Sequence, residues 1–300
     1  MSSRWQSTWV RYGVTAATLA CTAAQVNAAD ASKGSAAVPA VQTSNRPDSA
    51  ATANLTGNHP LASVLEYARQ EQEYLRSTVR DFSCRLVKRE RIDGFLQDYE
   101  YMDMQVREEI RDQQRLITPL SIFLEFQSPK KVAGRRVLFV EGRHDGKMLV
   151  RNGGKHFEYV VVEVDPLGET AMSESLVPIT QSGFNHILAQ MINVLERHAT
   201  IDADGTNTGV RRISGAKINN RPCSVIRITH PTKQPGLEFH IVNVFVDRDL
   251  HVPVRVDYSD WPKTEGQQPP LIAEYTYTNL QLNVGLSERT FDPARLKAKK

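Results

Sequence analysis

The chain has 300 residues, of which 40% are hydrophobic and 24% charged, with a formal net charge of +3. That apolar fraction excludes a wholly disordered chain, and a mean hydropathy of −0.40 excludes a protein threaded repeatedly through a membrane. Three cysteines are too few for a fold stapled by disulfides.

Residues 1–28 read as a signal peptide. Arg4 and Arg11 supply the charge at its start, Tyr12–Ala24 is an uncharged run, and Val26-Asn27-Ala28 offers a small-x-small site for cleavage after Ala28. A retained membrane anchor fits less well, because the run is shorter and milder than a spanning helix requires. A lipid anchor on Cys21 also fits less well, because Leu19 stands one position away from where a lipobox places it. Losing Arg4 and Arg11 lowers the net charge from +3 to +1, which gives no argument for nucleic acid as a partner. The expected location is the periplasm or cell envelope, with no transmembrane span after cleavage. Residues 29–58 follow as a linker rich in Ala, Ser and Thr, without aromatics, too poor in apolar surface to offset the entropy of ordering.

From His59 the apolar pattern is helical, with Leu61, Val64, Leu65, Ala68, Leu75 and Val79 on one side. Asn58 suits the N-cap and Pro60 the first turn, and the helix is predicted to end near Arg80. The period then becomes two. Strands are predicted over Phe82–Ile92, Asp98–Glu109, Leu120–Gln127, Arg135–Glu141, Lys147–Arg151 and Lys155–Val164, joined by short turns as in a meander. Ser182 is the expected cap of a second helix carrying Phe184, Ile187, Leu188, Met191, Ile192 and Leu195. Strands over Arg211–Ile218, Cys223–Thr229, Leu237–Val246, Val252–Tyr258 and Leu271–Leu282 complete the chain.

No βαβ rhythm appears, so a parallel nucleotide-binding sheet is not expected. About ten or eleven antiparallel strands must curl or close, because twist accumulates. The expected class is α+β: a strongly curved, incompletely closed antiparallel β-barrel with two long amphipathic helices covering its concave side. Export would leave Cys84 and Cys223 in an oxidising space, where either a bridge between them or two separately buried thiols would fit.

The chain lacks the common zinc, nucleotide and serine-hydrolase motifs, so no catalytic pair, metal or cofactor is nominated. His144, beside Asp145 and three residues after Glu141, is the most suggestive histidine, but Asp145 and Gly146 also suit an ordinary polar turn. Lys88-Arg89-Glu90-Arg91 is the densest charge run. It could read phosphate or lipid head groups, but alternating charges more often mark a strand's solvent face, with Glu90, Glu100 and Asp103 close enough to pair across the hairpin.

Several phrases carry a resemblance: Asp81–Glu90, Phe123-Leu124-Glu125-Phe126-Gln127-Ser128-Pro129, Val246–Asp249 with Val252–Val256, and Leu280–Val284 with Phe291-Asp292-Pro293. In these, residues 59–293 resemble a secreted family of unassigned function common in planctomycetes, related in fold to periplasmic lipoprotein-localisation carriers. The resemblance implies a single half-barrel domain, plugged by helices, with a cavity for acyl chains; beyond it, 294–300 reads as a basic tail. The expected function is a non-enzymatic envelope protein that binds a lipid or lipoprotein acyl chain. Cavity candidates are Leu120, Ile122, Leu124 and Phe126 from one strand face, closed by Phe184, Leu188, Met191 and Leu195; all eight also suit ordinary core. Two alternatives stand beside it: an envelope scaffold that binds a protein partner through the linker and sheet edges, and a hydrolase or metal site near His144.

Overall fold

The computed structural model describes residues 59–154 and 160–297. All of these belong to one compact unit of the chain, Pro39–Lys300. The signal sequence, Ala28, Cys21 and the 29–58 linker lie outside the described residues, as does the 155–159 part of the sixth predicted strand.

Helix α1 spans Ala62–Thr78 and buries Val64, Leu65, Ala68 and Leu75. It begins later than Pro60, because the His59 ring holds the entry: its Nδ1 accepts the Leu61 N–H at 3.0 Å. Strands β1 (Asp81–Ile92), β2 (Phe95–Leu96), β3 (Glu100–Arg107), β4 (Ile110–Asp112), β5 (Arg115–Thr118) and β6 (Ser121–Ser128) follow. Next come β7 (Arg136–Val140), β8 (Met148–Arg151), β9 (Val161–Val164), a short α2 (Glu169–Met172) and α3 (Phe184–Ile201). Strands β10 (Gly209–Ile218), β11 (Arg221–Thr229), β12 (Ile241–Asp247), β13 (Pro253–Ser259) and β14 (Leu271–Leu282) close the series. The short β2, the β4–β5 hairpin and α2 are too brief to leave a periodic signal, and the sequence reading passed over them.

One antiparallel sheet holds 12 strands in the order β10-β11-β12-β13-β14-β1-β3-β6-β7-β8-β9, with β2 attached to β1 alone. The sheet is open, and β10 and β9 are its edges. Register fixes which side chains share a face. Leu86 stands beside Met102 on β3 and Tyr277 on β14, and Met102 and Val106 stand beside Phe126 and Ile122 on β6. Both long helices pack on this face. Leu61 at the cap of α1, Val64, Leu65 and Ala68 of α1, and Ile192 and Leu195 of α3 meet Ile226, Ile228, Val242, Val244 and Val246. The start of α3, Phe184 and Leu188, joins Phe82, Met102, Met104, Ile122 and Tyr277 in the larger cluster.

The opposite face is covered at one end by the C-terminus. Phe291 and Leu296, both fully buried, pack on Phe123, Leu138, Val140 and Leu149. Leu296, within the expected basic tail at 294–300, therefore packs on the domain. Cys84 and Cys223 are both free and buried. Three strands, β12, β13 and β14, lie between theirs in the sheet, and the two thiols are buried separately.

Polar groups distant in sequence pin both ends of α3. At its start Gly183 replaces the expected cap Ser182, and the Glu108 carboxylate accepts the Phe184 N–H at 2.6 Å. A Cβ at Gly183 would meet Glu108 Oε2 at 2.7 Å, so that carboxylate would have to shift to admit one. Burial pushes the Glu108 carboxyl up to about 7, against the hydrogen bonds from Phe184 and Asn185. At the other end His198 and His230 are fully buried. His198 Nδ1 lies 3.0 Å from His230 Nε2, and His198 Nε2 lies 2.8 Å from Glu238. His230 Nδ1 faces Thr208, whose hydroxyl donates to Asp202. Burial, reinforced by His198, lowers His230 to about 4.

A base whose pKa falls on folding stabilises the fold fully above its unfolded value of ~6.5, and that contribution is lost as pH falls toward 4. Glu108 acts in the opposite sense, its contribution being lost as pH rises from the ordinary carboxylate range through about 7. The useful readout is therefore the gap in urea midpoint between the native chain and His230→Gln, which is expected to narrow steadily from pH 7 to pH 4. A gap independent of pH would show that His230 does not carry this acid sensitivity.

Candidate functional site

The buried face of β1 begins apolar with Phe82, Cys84 and Leu86 and ends charged with Lys88 and Glu90. These two were expected on a solvent face. They are 8% and 3% exposed, because the period of two places them on the same side as Phe82. Arg89 and Arg91 take the other side. Arg89 lies over the Tyr99 ring at 4.8 Å, and Arg91 Nε donates to Leu271 O at 2.8 Å.

Register assembles the site. Lys88 stands opposite Glu100 on β3 and Tyr275 on β14. Its ammonium lies 2.9 Å from Glu90, 3.3 Å from Glu100 and 3.1 Å from Ser175 Oγ. The Tyr275 hydroxyl donates to Glu90 Oε1 at 2.5 Å, and the Leu176 N–H reaches the same oxygen at 3.3 Å. Burial works against the Lys88 charge, but Glu90 and Glu100 outweigh it and raise its pKa. Burial, with Tyr258 and Glu90 beside it, raises the Tyr275 phenol well above its ordinary value. The expected pairing of Asp103 across the hairpin is also present, with Arg85 at 2.8 Å.

A cavity of about 280 Å³ opens beside this group, with Glu90, Glu100, Asp98, Lys131, Arg135 and Glu174 among its walls. Arg135 reaches Glu174 at 2.5 Å, so the segment after α2 is tied down over the site. Val132 lines the cavity and also belongs to the larger apolar cluster, so the polar space borders the core. Four of the six methionines lie in or against that cluster: Met102, Met104, Met148 and Met191.

The sequence-based cavity candidates are brought together, but as packed core. Leu120, Ile122, Phe126, Phe184, Leu188 and Leu195 are each at most 8% exposed, and Leu124 and Met191 are partly buried against the same clusters. None of the eight lines the 280 Å³ cavity or a second, of about 170 Å³, beside Tyr67, Glu71, Asp247 and His251. Sequence reasoning offered the Lys88–Arg91 run a head-group role beside its solvent-face reading but took Tyr275 for sheet packing, although Lys88 and Glu90 share the alternation phase of Phe82, Cys84 and Leu86.

His144 and Asp145 form a tight turn with positive φ at both residues. Glu141 is committed elsewhere, to Arg111 at 2.5 Å and the Leu120 N–H at 3.3 Å. Among the described residues no group of His, Cys, Asp and Glu is arranged to hold a metal ion.

Removing one partner of a buried ion pair leaves an uncompensated charge and costs ~3–5 kcal/mol. Lys88→Met is expected to lose about that much in urea unfolding, since it strands two carboxylates. Adding Glu90→Gln and Glu100→Gln to it should restore most of the loss. Equal stability of the single and triple variants would show that the three charges are not coupled.

Comparison with curated proteins gives no match. Three solved structures share part of the chain trace at low identity. The MucA/MucB complex of Pseudomonas aeruginosa is 15% identical, with a TM-score of 0.42, covering 79% of this chain and 62% of that one. Lipoprotein LppX of Mycobacterium tuberculosis is 14% identical, with a TM-score of 0.38, covering 77% and 100%. A putative outer membrane lipoprotein-sorting protein domain from Vibrio parahaemolyticus is 12% identical, with a TM-score of 0.33, covering 78% and 98%. As the sequence resemblance implied, the family is one of unassigned function: residues 79–299 match the model of the protein of unknown function DUF1571, and the chain belongs to that family.

Proposed function

We propose that the protein is a non-enzymatic carrier of an amphipathic, acyl-bearing ligand in the cell envelope. The observation that carries this reading is a cavity with charged side chains in its walls that borders a methionine-rich apolar face. Methionine is unbranched and polarisable, and repacks around an inserted chain at lower cost than branched side chains do. The ligand's polar head would sit beside Lys88, Glu90 and Glu100. Its chain would run between α3 and the sheet, among Met102, Met104, Leu124, Phe126 and Met191, with the two long helices closing the concave side of the curved sheet. Size supports this division. A cavity of about 280 Å³ lies at the lower end of the ~300–1,000 Å³ typical of ligand sites, so it suits a head group, while a chain requires the core to repack.

A second reading, an adaptor for a protein partner, draws on the β9 edge. Val161 and Val162 are 41% and 43% exposed there, with neither lysine nor proline in β9 to discourage pairing with another strand. The other edge, β10, carries Arg211, Arg212 and Lys217 and an irregularity after Ile213.

Solvent extraction of protein purified from a membrane-bearing host, followed by mass spectrometry, is expected to yield an acyl lipid in near-stoichiometric amount. A fluorescent fatty acid should bind the emptied protein and exchange faster in Glu174→Ala, which unties the segment over the cavity. Protein that emerges free of lipid and leaves the fluorescent fatty acid unbound would refute the carrier reading.

A further inference from the structure

Phe95 is 75% exposed, the most of any large apolar side chain among the described residues. It stands at the tip of the β1–β2 hairpin, where Asp93 and Gly94 both have positive φ, the geometry of a tight two-residue turn. The tip is therefore stiff, and the ring projects by construction. Phe95 pairs with Ile92, and Ile92 lines the 280 Å³ cavity, so the ring stands at the cavity's rim. Basic side chains flank the hairpin on both sides, Arg89 and Arg91 on the face turned away from the cavity. Lys130 and Lys131 are exposed, and Lys131 forms part of the same cavity wall. Arg89 and Arg91 give their Nε protons to the carbonyls of Gln97 and Leu271, contacts that do not neutralise their charge. Asp93, Asp98 and the cavity-wall acids Glu90, Glu100 and Glu174 stand against Lys88, Arg89, Arg91, Lys130, Lys131 and Arg135, which leaves one positive charge in excess.

We propose that this rim is a docking surface for an anionic lipid bilayer, with Phe95 as its inserted side chain. The chemistry favours a bilayer over a folded partner. A protein interface would have to desolvate the flanking lysines and arginines around one isolated ring. The interfacial zone of a bilayer takes an aromatic ring and leaves basic side chains hydrated among anionic head groups. The inference does not depend on the carrier reading, since a protein can dock on a membrane without extracting lipid from it.

The test is co-sedimentation of the full chain with phosphatidylcholine vesicles, with and without phosphatidylglycerol. Binding is expected only with phosphatidylglycerol, and is expected to weaken as salt is raised. Phe95→Ser should lower partitioning about tenfold, and Lys130→Glu with Lys131→Glu should lower it further. All these side chains are exposed, so folding should be unaffected. In Phe95→Trp the indole emission should shift to the blue on mixing with phosphatidylglycerol vesicles. Vesicle binding that Phe95→Ser leaves unchanged, or no vesicle binding by the native chain, overturns the proposal. Chains that bind vesicles but never carry lipid would refute the carrier reading alone; lipid-loaded chains that ignore vesicles would refute docking alone.

Discussion

The pairing of β1 with β14 is the constraint on which the rest of the structure depends. It joins the first and last strands at the middle of the sheet, so both edges fall in the middle of the chain, at β9 and β10. The segment between those edges must travel from one side of the sheet to the other. It does so across the face that carries Phe82, Met102 and Ile122, and α3 is the part of it that packs there. α1 enters just before β1 and packs along α3, contributing Leu61, Val64 and Leu65 to the apolar layer beneath both helices. One long-range pairing thus dictates where the helices lie, which face is buried and which strands are left with unpaired backbone.

The same face changes character along its length, and this change is what suggests function. Apolar residues alone would bury it at lower cost than Lys88, Glu90 and Glu100 do, because taking charges out of water is expensive even when they are paired. The group is nonetheless well satisfied: Lys88 has two carboxylates and Ser175, while Glu90 has Lys88, Tyr275 and the Leu176 N–H. A satisfied polar group at the end of an apolar layer, with open space beside it, is the arrangement an amphipathic ligand would need.

Much of the architecture was legible because it rests on local periodicity. The two long helices, the main strands and the lack of any βαβ rhythm all follow from spacing within short windows. The site was not legible to the same degree. Lys88 and Glu90 look like solvent-facing charges until the strand's phase is traced back to Phe82. Tyr275 joins them only through the β1–β14 register, which no local pattern encodes. The cap of α3 illustrates the same limit: Ser182 is the better local cap, yet Glu108 holds the helix start from a distant strand. The apolar cavity candidates pack within the core clusters, and alternation cannot distinguish a lining residue from a packed one.

These contacts also indicate how the core could be reached. α3 is held at both ends by buried polar groups, Glu108 at its start and the His198–His230 pair at its end, and releasing either exposes groups that lose their partners. The segment ahead of it is held more weakly. Glu174 is 61% exposed, so its bond to Arg135 is a surface ion pair worth ~0–1 kcal/mol. Ser175 and Leu176 contribute neutral donors to Glu90 at 3.3–3.4 Å, long for such bonds. Breaking these contacts uncovers the polar end of the face while α3 stays in place. The segment around Ser175 is thus held by longer and more exposed contacts than α3 is.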